Sequence, residues 1–177
     1  MTALRLLRGL FLAAVLLRAL APEAGRYRAE RLLRVGTKAL RQLVSHPEEV
    51  ADPQGALSRI QDLAFSAAPD LPGDSRPWIL AGSTRRVAGE PGRAIQLYRD
   101  ALALGERAEM DVNIGGAFEA EGEMAKSRAA FLRALWISPA LSSAILPDIV
   151  HELTPEIQRL EAELRAGRLK NPPPLPD

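Results

Sequence analysis

The sequence predicts an all-α protein: a short right-handed solenoid of helical hairpins, with flanking capping helices and an apolar helix at the N-terminus. Three observations carry this. Aromatic residues are only 5% of the 177 residues, too few for the strands of a β-rich core. Alanine, leucine and arginine, strong helix formers, dominate instead. The chain also repeats itself at an offset of 33 residues between positions 75 and 140, and a period of this size marks a helical array. The length is that of about one domain and needs no staples. There is no cysteine, which excludes disulfides, thiolate metal sites and thiol nucleophiles.

Charge is nearly balanced, with 23 basic and 22 acidic residues, so nothing draws the chain as a whole to nucleic acid, and none is expected as a partner. Twenty of the basic residues are arginine. Between Arg5 and Arg41 stand eight arginines and only two acids, Glu23 and Glu30.

Residues 1–21 open with Arg5 and Arg8 and continue as an uncharged apolar run from Gly9 to Leu17. Ala19-Leu20-Ala21 has the small-x-small form of a signal-peptidase site, although Arg18 precedes it and Pro22 follows it. Three readings stand open: an uncleaved membrane anchor, a cleaved secretory signal, and an apolar helix docked on the protein or a partner. Nine residues rise only about 13 Å against about 30 Å of hydrocarbon. Spanning would therefore require residues 3–21, with Arg8 and Arg18 reaching opposite interfaces.

Residues 26–73 read as a degenerate helical hairpin. Its first helix, Arg26–Val44, carries Leu32, Leu33, Leu40 and Leu43 and ends at His46-Pro47. The second, Ala56–Ala68, carries Leu57, Ile60, Leu63 and Ala64 and ends at Pro69.

Residues 74–140 hold the two clear units. In the first, Asp74 or Ser75 caps a helix, Pro77 sits in its first turn, and Gly89 ends it. Pro91 opens the second helix, which bears Ile95, Tyr98, Ala101 and Leu102 and ends at Gly105. The second unit follows the same plan: Glu109–Glu121, Gly122, then Met124–Ser138 with Pro139 as terminator. At the 33-residue offset Gly82 falls on Gly115, Gly89 on Gly122, Glu90 on Glu123, Arg93 on Lys126, Tyr98 on Phe131, Ala101 on Ala134 and Leu102 on Leu135; Arg99 falls on the dissimilar Leu132.

Residues 141–168 read as capping helices. Ala140–Leu146 continues the array to a break at Pro147-Asp148, and a last helix opens with Thr154 as cap and Pro155 at its first position. Its Ile157, Leu160 and Leu164 face inward. Residues 169–177, rich in proline, read as an extended, disordered end.

The two units resemble the tetratricopeptide repeat family. The matching residues are Trp78, Gly82, Gly89, Ala94, Tyr98 and Ala101 in the first, and Gly115, Phe118, Gly122, Ser127, Phe131, Ala134 and Pro139 in the second. Arg85, Glu106 and Asp111 depart from the pattern, and the period is one residue shorter than usual. The resemblance implies that the first helix of each unit lines a concave surface. In the first unit this presents Arg76, Ile79, Ser83 and Arg86, and in the second Val112, Asn113, Gly116 and Glu119, as the residues that bind a partner segment. Arg86 and Glu119 would offer paired charges, Asn113 an amide, and Gly116 a notch for a bulky side chain. Some family members clamp a terminal carboxylate with lysine and asparagine; Ile79 occupies the lysine position, so that activity is not implied.

No phosphate loop, metal-ligand spacing or nucleophile–base arrangement is present, and neither an enzyme activity nor a metal or other cofactor is expected. His46 reads as a helix-end residue and His151 as a surface or capping one. Glu119, Glu121 and Glu123 read as solvent-facing. The expected function is that of a non-catalytic scaffold or assembly factor of the cell envelope. It binds another protein and contacts the membrane through residues 1–21, with the repeats outside the cytoplasm. The alternative is a structural subunit of a larger membrane complex.

Overall fold

The computed structural model describes residues 2–105, 107–169 and 171–177, with side chains at Arg18 and from Ala21 onward. The described residues form seven α-helices and no strand. They are α1 (Thr2–Ser45), α2 (Pro53–Ala67), α3 (Arg76–Val87), α4 (Pro91–Ala103), α5 (Ala108–Ala120), α6 (Met124–Ile137) and α7 (Pro147–Arg165). Each packs on the next in chain order, and α1 also touches α3, as α3 touches α5. Three hydrophobic clusters follow one another along the chain. The first joins Ala29 and Leu33 of α1 to Ile60 and Ala64 of α2 and Leu80 of α3. The second joins Tyr98 of α4 to Ile114 and Phe118 of α5 and Ala130 of α6. The third joins Phe131 and Leu135 of α6 to Ile145 and to Leu153 of α7.

The 33-residue period has a direct structural counterpart. A Cβ placed on Gly82 would stand 2.7 Å from the Tyr98 ring, and one on Gly115 would stand 2.6 Å from the Phe131 ring. In both units an aromatic ring on the second helix lies flush on the bare backbone of the first. The turns match as well. Gly89 and Gly122 have φ of 78° and 79°, a conformation that costs glycine little. Around each, the N–H three residues past the helix bonds back five positions, from Glu90 to the Arg85 carbonyl and from Glu123 to the Phe118 carbonyl. Phe65 of α2 meets Trp78 of α3 edge-on at 5.9 Å, joining the first hairpin to the second.

Two departures from the repeat pattern are compensated. Arg85 reaches across the Gly89 turn to Glu90, at 2.9 Å. Asp111 is fully buried and accepts a hydrogen bond from Arg133 Nη1 at 2.7 Å. Glu106, the third, lies outside the described residues.

The structure corrects several boundaries. The N-terminal segment and the helix expected from Arg26 are one element: α1 runs unbroken through Pro22. That proline removes one N–H, whose partner would be the carbonyl of Arg18, an exposed residue. The first buried residue described on α1 is Ala29, and Gly36 lets α3 approach so closely that a Cβ there would stand 2.8 Å from Leu80. Ser75 makes no side-chain cap; Asp74 accepts from the Arg76 N–H instead. Residues Pro139–Ala144 form 3-10 turns rather than an α-helix. Thr154 is no cap, because α7 starts at Pro147 and passes through Pro155. The Thr154 hydroxyl donates to the Val150 carbonyl, and the acceptor freed by Pro155 belongs to exposed His151. Leu160 is buried and Ile157 half-buried as expected, but Leu164 is 46% exposed.

The segment expected to be a disordered end lies against the helices. Arg133 Nε donates to the Pro173 carbonyl and Arg99 Nη2 to the Pro176 carbonyl, both at 2.9 Å, and Leu175 packs on the second cluster. Proline carbonyls are unopposed acceptors, and these two arginines supply the donors. Among the described residues no helix is long and apolar enough to cross a membrane. The side chains of the apolar run Gly9–Leu17 lie outside the described residues.

Candidate functional site

A cleft of about 610 Å³ opens between α1 and α3. On α1 it is lined by Glu30, Leu33, Arg34, Thr37, Lys38 and Arg41. Their spacing of three and four places them on one helical face. On α3 it is lined by Arg76, Ile79, Leu80 and Ser83. Leu33 and Leu80 are buried beneath it and Leu40 and Ile79 half-buried, so the floor is apolar. Arg34, Lys38 and Arg41 are exposed on the rim, and among the described residues no carboxylate lies within ion-pair distance of them. The described rim therefore carries three solvent-exposed cations beside the Glu30–Arg76 pair.

Arg76 is differently placed. It hydrogen-bonds both Glu30 and Asp74, tying α1 to the start of α3. Its guanidinium holds both carboxyls below their ordinary values of 4.5 and 3.8, chiefly through these hydrogen bonds. The two carboxylates in turn hold the Arg76 pKa up. Depressed carboxyl pKa values contribute stability above the unfolded-state values, and that contribution is lost as pH falls through the folded ones. Arg76→Ala is accordingly expected to be destabilising at neutral pH. The gap from the parent should close as pH falls below the ordinary carboxyl values. Denaturant melts at a series of pH values read this directly, and a gap independent of pH would show that the triad does not couple to folding.

The remaining expected residues divide. Ser83 is half-buried and pairs with the Tyr98 hydroxyl at 3.1 Å, on the edge of the cleft. Burial pushes the Tyr98 phenol up, against the opposing influence of Ser83 and Arg86. Arg86 is exposed and forms no ion pair with Glu119. Its guanidinium lies 3.6 Å from where a Gly116 Cβ would stand, so it covers the expected notch. Val112 packs on the third cluster, toward α6 and α7. Asn113 and Glu119 are half-buried on α5. The structure thus brings Arg76, Ile79 and Ser83 together in the cleft and Arg86 with Gly116 beside it, while Val112 turns away.

Arg34, Lys38 and Arg41 are the residues that sequence reasoning missed. Their spacing and the scarcity of acids before residue 41 were available as signals, but the packing of α1 on α3 was not. A second grouping, His46, Glu48 and Glu49, places three ligand-type atoms within 4.8 Å on the turn after α1, all three residues solvent-exposed. Compared with family models, curated proteins and solved structures, the chain matches none.

Proposed function

We propose that this protein is a non-catalytic interaction scaffold of the tetratricopeptide type, whose first-helix row, α1, α3 and α5, binds a segment of another protein. The observation that carries this reading is the α1–α3 cleft: an apolar floor under three cations that have no carboxylate partner among the described residues. Such a surface suits a segment with apolar anchors and acidic flanks, since charged rims steer encounter and the buried apolar contacts hold the complex. The repeated ring-on-glycine contacts and identical turns support a short solenoid of hairpins stacked in register.

Residues 1–21 would tether or deliver the scaffold, with the repeats outside the cytoplasm as part of a cell-envelope assembly. The second reading is a structural subunit of a larger membrane complex. It draws on the unbroken course of α1, a single helix of about 66 Å that joins the apolar segment to the hairpins.

The test is charge reversal on the rim. Lys38→Glu with Arg41→Glu should leave the melting temperature near that of the parent, because both residues are exposed. Affinity for the partner recovered with the parent should fall at least tenfold, about 1.4 kcal/mol. Unchanged affinity would remove the cleft from the binding surface.

A further inference from the structure

A separate surface lies on the second-helix row. Residues 171–177 fold back over α6 and α4, and three features seat them. Arg133 Nε donates to the Pro173 carbonyl, Arg99 Nη2 donates to the Pro176 carbonyl, and Leu175 packs on the cluster around Tyr98 and Ile114. Leu132 borders the same path beside Pro172–Pro174. Arg133 is held in place from behind, since it also donates to fully buried Asp111 and is itself only 13% exposed.

The chemistry read here is that of a class of segment. Proline has a fixed φ and no N–H, so a proline-rich stretch favours the extended left-handed helix, with its carbonyls as its only backbone hydrogen-bonding groups. That helix has three residues per turn and rises about 3.1 Å per residue, so carbonyls three apart face the same way at about 9 Å. Pro173 and Pro176 are three apart, and their carbonyls meet arginines from two different helices. Two donors that meet carbonyls three residues apart, with one apolar contact, recognise the backbone of such a helix and require only one particular side chain.

We propose that the strip formed by Arg99, Leu132 and Arg133 is a docking site for a proline-rich segment of a partner protein, with this chain's residues 172–176 as its resident occupant. The seat is shallow: Pro174 is exposed, and Pro172, Pro173, Leu175 and Pro176 are only half-buried. The resident is therefore displaceable, but it competes at an effective concentration on the order of millimolar. A partner segment that extends past the resident's contacts wins the exchange.

The experiment titrates a fluorescent peptide of the sequence of residues 169–177 with the full-length chain and follows anisotropy. Leu175→Asp in the chain should unseat the resident and raise peptide affinity at least tenfold over the parent. Pro173→Gly with Pro176→Gly, which loosens the segment without adding charge, should do the same. Adding Arg99→Ala to either chain should lower affinity about tenfold while leaving the circular dichroism spectrum unchanged. A peptide with glycine in place of its prolines should bind at least tenfold more weakly. If neither unseated chain binds the peptide more tightly than the parent, or the glycine peptide binds equally well, the proposal fails. A parent chain that is dimeric, and turns monomeric on Leu175→Asp, would assign the strip to a second copy instead and overturn the partner reading.

Discussion

Arg133→Ala is expected to lower the unfolding free energy by about 3–5 kcal/mol. The change removes the guanidinium and leaves the fully buried Asp111 carboxylate without its arginine. An ion taken out of water at this depth is costly, and its attraction to the largely buried Arg133 guanidinium is what offsets the cost. The double variant Asp111→Leu with Arg133→Leu separates this from a simple loss of packing. Replacing both charges by apolar groups removes the desolvation penalty along with the pair, so the double variant should return to within about 1–2 kcal/mol of the parent. Denaturant melts of the three proteins are the measurement. An Arg133→Ala loss below about 1 kcal/mol would mean that Asp111 is not held as described.

Tyr98→Ala is expected to cost about 3–5 kcal/mol, and Phe131→Ala a similar amount. The ring of Tyr98 is wholly buried, lies on Gly82 and reaches across to Ile114 and Phe118 of the next hairpin. Alanine would open a cavity at the joint between two units, which the backbones cannot close because they already touch the ring. Tyr98→Phe keeps the ring and removes only the hydrogen bond to Ser83, so it should cost about 1 kcal/mol. Equal losses for Tyr98→Phe and Tyr98→Ala would show that the hydroxyl, not the ring, holds the joint, and would count against the shared register of the two units.

That register is legible in the sequence because its causes are local. Gly82 with Tyr98, and Gly115 with Phe131, are partners 16 residues apart within one hairpin, and the glycine turns at 89 and 122 report their own geometry. What escaped reading depended on context. Pro22 and Pro155 carry the ordinary signal of a helix boundary, yet each costs one hydrogen bond at an exposed turn, and the helix continues. Asp111 looked like a departure from an apolar pattern, and only the arrival of Arg133 from the next helix explains it. The proline-rich end looked disordered because nothing near it in sequence binds it; its arginine partners stand 40 and 77 residues away. The basic rim of the cleft was missed for the same reason. Arg34, Lys38 and Arg41 become part of a site only when α1 lies along α3, an approach that depends on Gly36 facing Leu80.

Site-specific photocrosslinking tests the central claim most directly. A photoreactive residue would replace Thr37 of α1, Ile79 of α3 or Asn113 of α5 on the proposed binding row, and exposed Asp62 of α2 or Gln96 of α4 on the opposite row. In cells that make the protein, positions 37 and 79 are expected to crosslink to one and the same short partner segment, rich in acidic and apolar residues, with position 113 contributing more weakly. Positions 62 and 96 should not reach that segment. Crosslinks to it from 62 and 96 that equal or exceed those from 37 and 79 would contradict a scaffold that works through its first-helix row.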